Sequence, residues 1–280
     1  MNILEKNISL NDLIDGSNDE LPKALNYGNL PFVFEKNETY KNDVDIPNNI
    51  HFIWIGSIIP KKYFDTIINC KKINTNYNVF IWVDDKSINT EIYNSLIDNR
   101  LIVKHIYTEL NKPEILNNTI INYLNQHENY GYKADVIRLY VVYKYGGIYS
   151  DIDSVWIKPL DDNFKYEFVT YRIDKQCSNL TNSFFGFNSN SIILKNAIIN
   201  LELTVNLFLS LTNKNIFKPF IPIISGPGYL TKIIKDMNPT GLNYIHQGYC
   251  VIGGPHEDLY SNFSKDNKSY CYQTFDRNWC

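Results

Sequence analysis

Cysteine is scarce and poorly placed for cross-linking. Cys70, Cys177, Cys250, Cys271 and Cys280 form an odd set without a CxxC pair. That spacing argues against a zinc site and a disulfide scaffold, and predicts free thiols in a reducing compartment. Long apolar runs are also missing. No stretch approaches the ~20 residues that a membrane span needs. The opening MNILEKNISLNDLIDG has acids and polar side chains where a signal peptide needs an apolar core. A cytoplasmic chain without a membrane span is the expectation. Charge of one sign is lacking too. The formal net charge of -3 gives no basic field for nucleic acid, so no nucleic-acid partner is expected. No internal repeat and no linker interrupt the chain.

What is there suffices for a large core: 280 residues, of which 44% are hydrophobic. Residues 1–45 hold nine acids and four bases and show little periodicity. They read as an acidic N-terminal extension, lying on the domain surface or partly mobile. Residues 46–280 read as one domain.

Strong patterning starts at Ile50. The run Ile50-His51-Phe52-Ile53-Trp54-Ile55 is apolar, β-branched and aromatic, and stops at Gly56, as a buried strand would. Pro60 suits a helix start, and Tyr63, Phe64, Ile67 and Ile68 follow at helical spacing. Residues 79–83 read as a second strand, 88–97 as a helix, 101–106 as a third strand and 114–128 as helical. This β-α-β-α-β order predicts an α/β sheet with parallel strands covered by helices. Residues 134–145 form the next predicted helix, which Gly146-Gly147 ends. Ile148-Tyr149-Ser150 resumes as a strand, with Asp151-Ile152-Asp153 at its end, and Ser154 to Ile157 leads on to Lys158-Pro159. Strands at 166–173 and 183–187, a helix over 192–209 and another after Ser225-Gly226-Pro227-Gly228 follow. Short strands near 242–246 and 249–252 precede a tail, 255–280, that reads as irregular.

Asp-x-Asp alone carries almost no information. Asp43-Val44-Asp45 has the same pattern and reads as solvated surface, since it precedes any core strand. Asp151-Ile152-Asp153 differs in context. It follows a helix, a glycine doublet and an apolar strand, so its backbone should be largely buried. Two carboxylates at i and i+2 on an ideal strand point to opposite faces, but a turn at the strand end lets both approach one site. Burying like charges side by side is costly without a cation. Hard oxygen ligands suit Mn2+ or Mg2+, whose shell is completed by water and phosphate oxygens. The structural alternative is a pair of helix caps or ion-paired carboxylates. The cation reading fails if the two side chains face no common cleft, or if lysine or arginine already neutralises them. Asp135 and Arg138 lie one turn apart on the predicted helix and share a face, either at the site or as a surface ion pair.

The stretch Ala134-Asp135-Val136-Ile137-Arg138-Leu139, followed by Tyr145-Gly146-Gly147-Ile148-Tyr149-Ser150-Asp151-Ile152-Asp153, resembles the sugar-binding DXD region of GT-A glycosyltransferases. It is similar to the glucosyltransferase domains of large clostridial toxins and to fungal mannosyltransferases that initiate outer-chain glycans. Asn49 to Gly56 and Tyr77 to Phe80 resemble the first two strands of the toxin domain. Asn182 to Phe187 and the Ser225-Gly226-Pro227-Gly228 turn are looser matches.

The resemblance implies a GT-A, Rossmann-like mixed sheet flanked by helices. It also implies a retaining, metal-dependent transfer of a hexose, glucose favoured, from a UDP-sugar to the hydroxyl of an unknown glycan, protein or small-molecule acceptor. GDP-mannose transfer is the alternative, as is a non-catalytic sugar-nucleotide or glycan binder. A nucleotidyltransferase is disfavoured, because the Gly56-Ser57-Ile58-Ile59 turn offers no triphosphate loop.

Carried over, the resemblance places Trp54 on the base with Ile53 beside it, unless Trp54 is an ordinary core residue. Asp135 would meet sugar or ribose hydroxyls, and Arg138 the phosphate or sugar. Tyr149 would sit beside the donor, with Asn89 and Asn182 as further donor contacts. Asp151 would touch the ribose or sugar and reach the metal through water, while Asp153 would ligate it directly. In the tail, Gln273 stands where the mannosyltransferase-like members carry a His. Asn278 could offer the metal an oxygen, and Trp279 could donate to a phosphate if the tail folds back. His246 and His256 are further candidate ligands.

Overall fold

The apolar run beginning at Asn49 becomes β1 (Asn49–Trp54), with its four central side chains buried. In this computed structural model the described residues are 32–35, 40–110, 116, 118–126, 129–173, 178–211, 225–246, 251–252 and 269–273. The succeeding elements are α1 (Lys61–Ile73), β2 (Asn78–Val83), α2 (Thr90–Asp98), β3 (Ile102–His105) and α3 (Ile106–Leu110). Then come α4 (Asn118–Gln126), α5 (Tyr130–Tyr145), β4 (Gly147–Ser150) and β5 (Ser154–Trp156). The second half contributes β6 (Phe168–Ile173), β7 (Ser178–Phe187), α6 (Ile192–Leu211), α7 (Pro227–Met237), β8 (Asn243–His246), β9 (Val251–Ile252) and β10 (Cys271–Gln273).

Seven strands form one mixed sheet in the order β3-β2-β1-β4-β7-β6-β8. The first four are mutually parallel, β7 runs antiparallel to both β4 and β6, and β8 is parallel to β6. Both faces of this sheet are covered. On β1 and β2, Ile53, Phe80 and Trp82 point into one apolar cluster, with Val136, Tyr140 and Leu194. Ile50, Phe52, Val79 and Ile81 point into the other, with Tyr63, Ile67 and Phe168. This period-2 division explains why the strands read as unbroken apolar runs: each successive side chain has a core to enter.

Local chemistry sets the helix starts. The Asn89 side chain accepts the Ile92 N–H at 2.8 Å and caps α2. The Asn129 side chain accepts the Tyr132 N–H at 3.0 Å and caps α5. That cap starts α5 about a turn before the predicted Ala134. Helix α5 packs on β1 and on α6 and is buried along nearly its whole circumference, Asp135 and Arg138 included. It ends at Gly146 and Gly147, both at positive φ. A Cβ on Gly147 would lie 2.4 Å from the Asn49 carbonyl oxygen, so β4 can start against β1 only because this residue has no side chain.

The chain lays β2 and β3 on one side of β1 and then crosses to place β4 on the other. Such a reversal opens a crevice beyond the carboxyl ends of the two adjoining strands. Trp54 ends β1, and Asp151 follows the last residue of β4 at that same edge.

One sequence expectation needs correction. The tail is not wholly irregular: β10 pairs antiparallel with β5 and parallel with β9, making a second sheet of three strands. A three-residue strand carries too little alternation to be recognised from sequence alone. The described parts of the N-terminal extension are tied to the body. The Val33 N–H donates to Asn200 Oδ1, and the Glu35 N–H to Asn196 Oδ1, both at 2.8 Å, along one side of α6. The Tyr40 hydroxyl donates to Glu167 Oε2 at 2.6 Å. Val44, between Asp43 and Asp45, is 60% exposed, as the solvated reading of that copy of the motif expects. Among the described residues no helix is long and apolar enough to cross a membrane, and Cys70 and Cys271 are buried cysteines outside any disulfide.

Candidate active site

Asp151 leaves β4 with its N–H bonded to the Ser183 carbonyl of β7, and a turn follows in which the Ser154 N–H returns to the Asp151 carbonyl at 3.1 Å. This turn defeats the strand rule that i and i+2 diverge. A single group reaches both carboxylates: Gln273 Nε2 donates to Asp151 Oδ2 at 3.3 Å and to Asp153 Oδ1 at 3.0 Å. Gln273 ends β10 and pairs in register with Ser154, so the second sheet brings the tail to the motif. The two side chains therefore converge on one point.

Arg138 lies behind them. Its guanidinium meets Asp135 Oδ1 at 3.1 Å and Asp151 Oδ1 at 3.2 Å, and donates to the Asn182 carbonyl at 2.6 Å. It lies 4.6 Å from the centre of the Tyr149 ring, whose hydroxyl donates to Asp151 Oδ1 at 2.8 Å. The Asn182 carboxamide donates to Asp135 Oδ1 at 2.8 Å, and the Ser225 hydroxyl to Asp135 Oδ2 at 3.3 Å. The Asp135–Arg138 pair is thus a buried junction rather than a surface ion pair. Arginine does reach Asp151, but one guanidinium serves Asp135 and Asp151 together, so the cluster keeps an excess of negative charge. It engages one oxygen of Asp151 and leaves the other turned to Gln273.

Burial dominates the electrostatics. It pushes the Asp135 carboxyl up to about 6 against the pull of Arg138, and Asp151 is raised for the same reason against the same guanidinium. A carboxyl raised on folding binds its proton more tightly in the folded state. Its favourable contribution is complete at acid pH and is lost as pH climbs through the window from 3.8 to about 6. The melting temperature of the wild type minus that of Asp135→Asn is expected to fall across this window and to level off above it. Melting curves at stepped pH check this, and a difference that rises with pH would contradict it.

The remaining candidates are spread more widely. Trp54 is half-buried; its indole N–H donates to the Ser57 carbonyl at 2.6 Å, and its ring centre lies 5.0 Å from that of Tyr63. Ile53 is buried in the apolar cluster on the opposite face of the sheet. Asn89 is exposed, and its side-chain oxygen is engaged in capping α2. His246 belongs to edge strand β8, separated from β4 by β7 and β6. Asn278, Trp279 and His256 lie outside the described residues. Two contacts go beyond the sequence reading. That of Ser225 with Asp135 had a hint in the Ser-Gly-Pro-Gly turn. The bridging by Gln273 had a hint only in the resemblance, which sets it where relatives carry a His; the bonds themselves depend on the β5–β10 pairing.

Residues 60–169 match the family described as glycosyltransferase sugar-binding region containing DXD motif. Over 121 residues the chain is 30% identical to Subversion of eukaryotic traffic protein A of Legionella pneumophila subsp. pneumophila, covering 43% of this chain and 19% of that protein. Over 168 residues it is 26% identical to inositol phosphoceramide mannosyltransferase 3 of Schizosaccharomyces pombe, covering 59% of this chain and 40% of that one. The chain thus spans less than half the length of either relative. The solved structure of PaToxG Glycosyltransferase superposes with a TM-score of 0.54 at 23% identity, covering 70% of this chain and 71% of that one, which is a likeness of fold. Residues 60–169 are thus similar to the DXD-containing sugar-binding region of glycosyltransferases, and the chain has a GT-A-like α/β fold.

Proposed function

We propose that the protein is a retaining, metal-dependent glycosyltransferase that moves a hexose, glucose favoured, from a UDP-sugar to an acceptor hydroxyl. The observation that carries this reading is the convergence of Asp151 and Asp153 on one donor group. A point where two carboxylates accept from the same N–H2 suits positive charge, and its oxygen donors suit Mn2+ or Mg2+. A divalent ion bound there would supply charge stabilisation for the departing diphosphate.

The chain's own residues do the rest. Asp153 is the direct ligand. Asp151, oriented by Arg138 and Tyr149, faces the ribose or sugar and the ion's water. Asp135 and Asn182 present buried polar atoms to sugar hydroxyls, and Arg138 balances the carboxylates and reaches toward phosphate. Trp54, with Ile53 beside it in the strand, offers an aromatic surface at the neighbouring strand end for the base; base–aromatic stacking is worth ~1–3 kcal/mol in nucleic-acid complexes. By the resemblance, Asn278 and Trp279 are the further donor contacts of this reading, and Asn278 a further metal ligand, whereas Asn89 caps α2. The acceptor hydroxyl attacks the anomeric carbon as the bond from that carbon to the diphosphate breaks. Retention in one front-face step requires no protein nucleophile.

A second reading, transfer of mannose from GDP-mannose, is favoured by the similarity to the mannosyltransferase of Schizosaccharomyces pombe. A panel of UDP- and GDP-sugars in a thermal-shift assay, with and without Mn2+, separates the two. At a ligand concentration 100 times its Kd, the true donor adds about 2.7 kcal/mol to folded-state stability. UDP-glucose with Mn2+ is expected to give the largest shift and to release free glucose slowly. A shift without sugar release would indicate a non-catalytic binder. No shift with any sugar nucleotide would overturn the proposal.

A further inference from the structure

Asn196 and Asn200 lie about one turn apart on α6, and both are 0% exposed. Asparagine is a poor helix former, because its carboxamide competes for backbone groups. Here each carboxamide reads a backbone from elsewhere in the chain. Asn200 Oδ1 accepts the Val33 N–H at 2.8 Å, and its Nδ2 donates to the Val33 carbonyl at 2.8 Å. Asn196 Oδ1 accepts the Glu35 N–H at 2.8 Å, and its Nδ2 donates to the Glu35 carbonyl at 3.2 Å. Four helical residues rise about 6 Å and two strand residues about 6.7 Å, so the i, i+4 pair meets alternate residues of an extended segment.

The side chains of that segment alternate in step. Val33 and Glu35 are exposed, whereas Phe32 and Phe34 are partly buried against the apolar cluster. Phe32 also reaches α7: its ring centre lies 6.0 Å from that of Tyr229 and 5.8 Å from Lys232 Nζ. The segment therefore occupies the seam between α6 and α7. The Tyr229 hydroxyl ties the seam by donating to the Ala197 carbonyl, and Thr231 Oγ1 accepts the Leu180 N–H of β7 at 3.0 Å. Ser225, just ahead of α7, holds Asp135.

We propose that the α6–α7 seam is a peptide-binding site that reads main chain and takes aromatic side chains at alternate positions, and that residues 32–35 fill it as a tethered ligand whose docking holds α7 and Ser225 against Asp135. Recognition is strand-like: main-chain bonds supply affinity and the alternate places supply selectivity. Only the consequence for sugar binding at Asp135 rests on the glycosyltransferase reading; the peptide site does not.

The test uses a fluorescein-labelled peptide of residues 29–36, read by anisotropy. It is added to the full chain and to the full-chain double variant Phe32→Ser, Phe34→Ser, whose own segment has lost its aromatic anchors. A tethered occupant acts at roughly millimolar effective concentration, so the peptide is expected to bind the variant at least about tenfold more tightly than the wild type. Adding Asn196→Leu and Asn200→Leu to that variant is expected to abolish binding. A Val33→Pro peptide lacks the N–H that Asn200 accepts and is expected to bind about tenfold more weakly or worse. A Val33→Ser peptide, altered only at an exposed side chain, should stay within about threefold. Equal binding to wild type and variant, no binding to the variant, or tolerance of Val33→Pro overturns the proposal. Deuterium exchange of residues 225–237 reads the coupling. It is expected to be faster in the variant than in the wild type and to slow again when the peptide binds; exchange that ignores the peptide overturns the link to Ser225. No sugar nucleotide enters these measurements, so their failure leaves the donor reading untouched. Should the double variant fail to fold, the full chain carrying Val33→Pro takes its place.

Discussion

Replacing Asp153 by Asn is expected to reduce turnover about 10³-fold or more while the protein stays folded. The scale is that of removing a preorganised group from a charge-stabilising site. Asp153 lies in the turn between β4 and β5, is half-buried, and belongs to neither apolar cluster. Asn has nearly the same shape, so the turn that the Ser154 N–H closes on the Asp151 carbonyl should persist. Stability should therefore change by no more than about 1 kcal/mol. Sugar release from the donor measures the first effect, and circular dichroism with a melting curve measures the second. Undiminished turnover in a folded variant would falsify the metal assignment.

Arg138→Met is expected to be the most damaging single change to stability. The guanidinium is almost wholly enclosed, and it joins Asp135, Asp151, the Asn182 carbonyl and the Tyr149 ring. Removing it leaves two buried carboxylates without their cation, at a cost of about 3–5 kcal/mol. For a chain of this size that is a fall in Tm on the order of 10 °C. Arg138→Lys should recover only part of the loss, since one ammonium cannot span Asp135, Asp151 and the Asn182 carbonyl at once. The penalty should also be pH-dependent. Asp135 already holds its proton up to about 6 in the intact protein. Without Arg138 it takes up a proton more readily still, so acid should relieve the defect. Equal melting temperatures for wild type and Arg138→Met near neutral pH would contradict the described junction.

Some of this was legible in local sequence, and the reasons are specific. Strands β1 and β2 could be read because both their faces are buried, which leaves a continuous apolar run. The break before β4 could be read because Gly146 and Gly147 adopt backbone conformations, both at positive φ, that other residues avoid. The contrast between Asp43-Val44-Asp45 and Asp151-Ile152-Asp153 was visible from position alone, one pair preceding the core strands and the other ending one. Asn89 shows the limit of such reading. A polar residue after a strand suits a donor contact and a helix cap equally well, and its bond to the Ile92 N–H shows the cap. The start of α5 was misplaced because Tyr130 to Lys133 have no amphipathic stripe: the apolar Tyr130 is exposed while Gly131, Tyr132 and the charged Lys133 are buried.

By itself the sequence determined the order of strands and helices, the glycine stop, and the acidic pair that follows β4, because each depends on contacts within a few residues. Only the tertiary structure decided that Arg138 is shared by Asp135 and Asp151, that Ser225 and Asn182 hold Asp135, and that Gln273 bridges the motif. Those bonds join segments far apart in the chain, and they form only once β7, α7 and β10 have docked against the end of β4. The charge balance of the site is set there, by which side chains burial forces together.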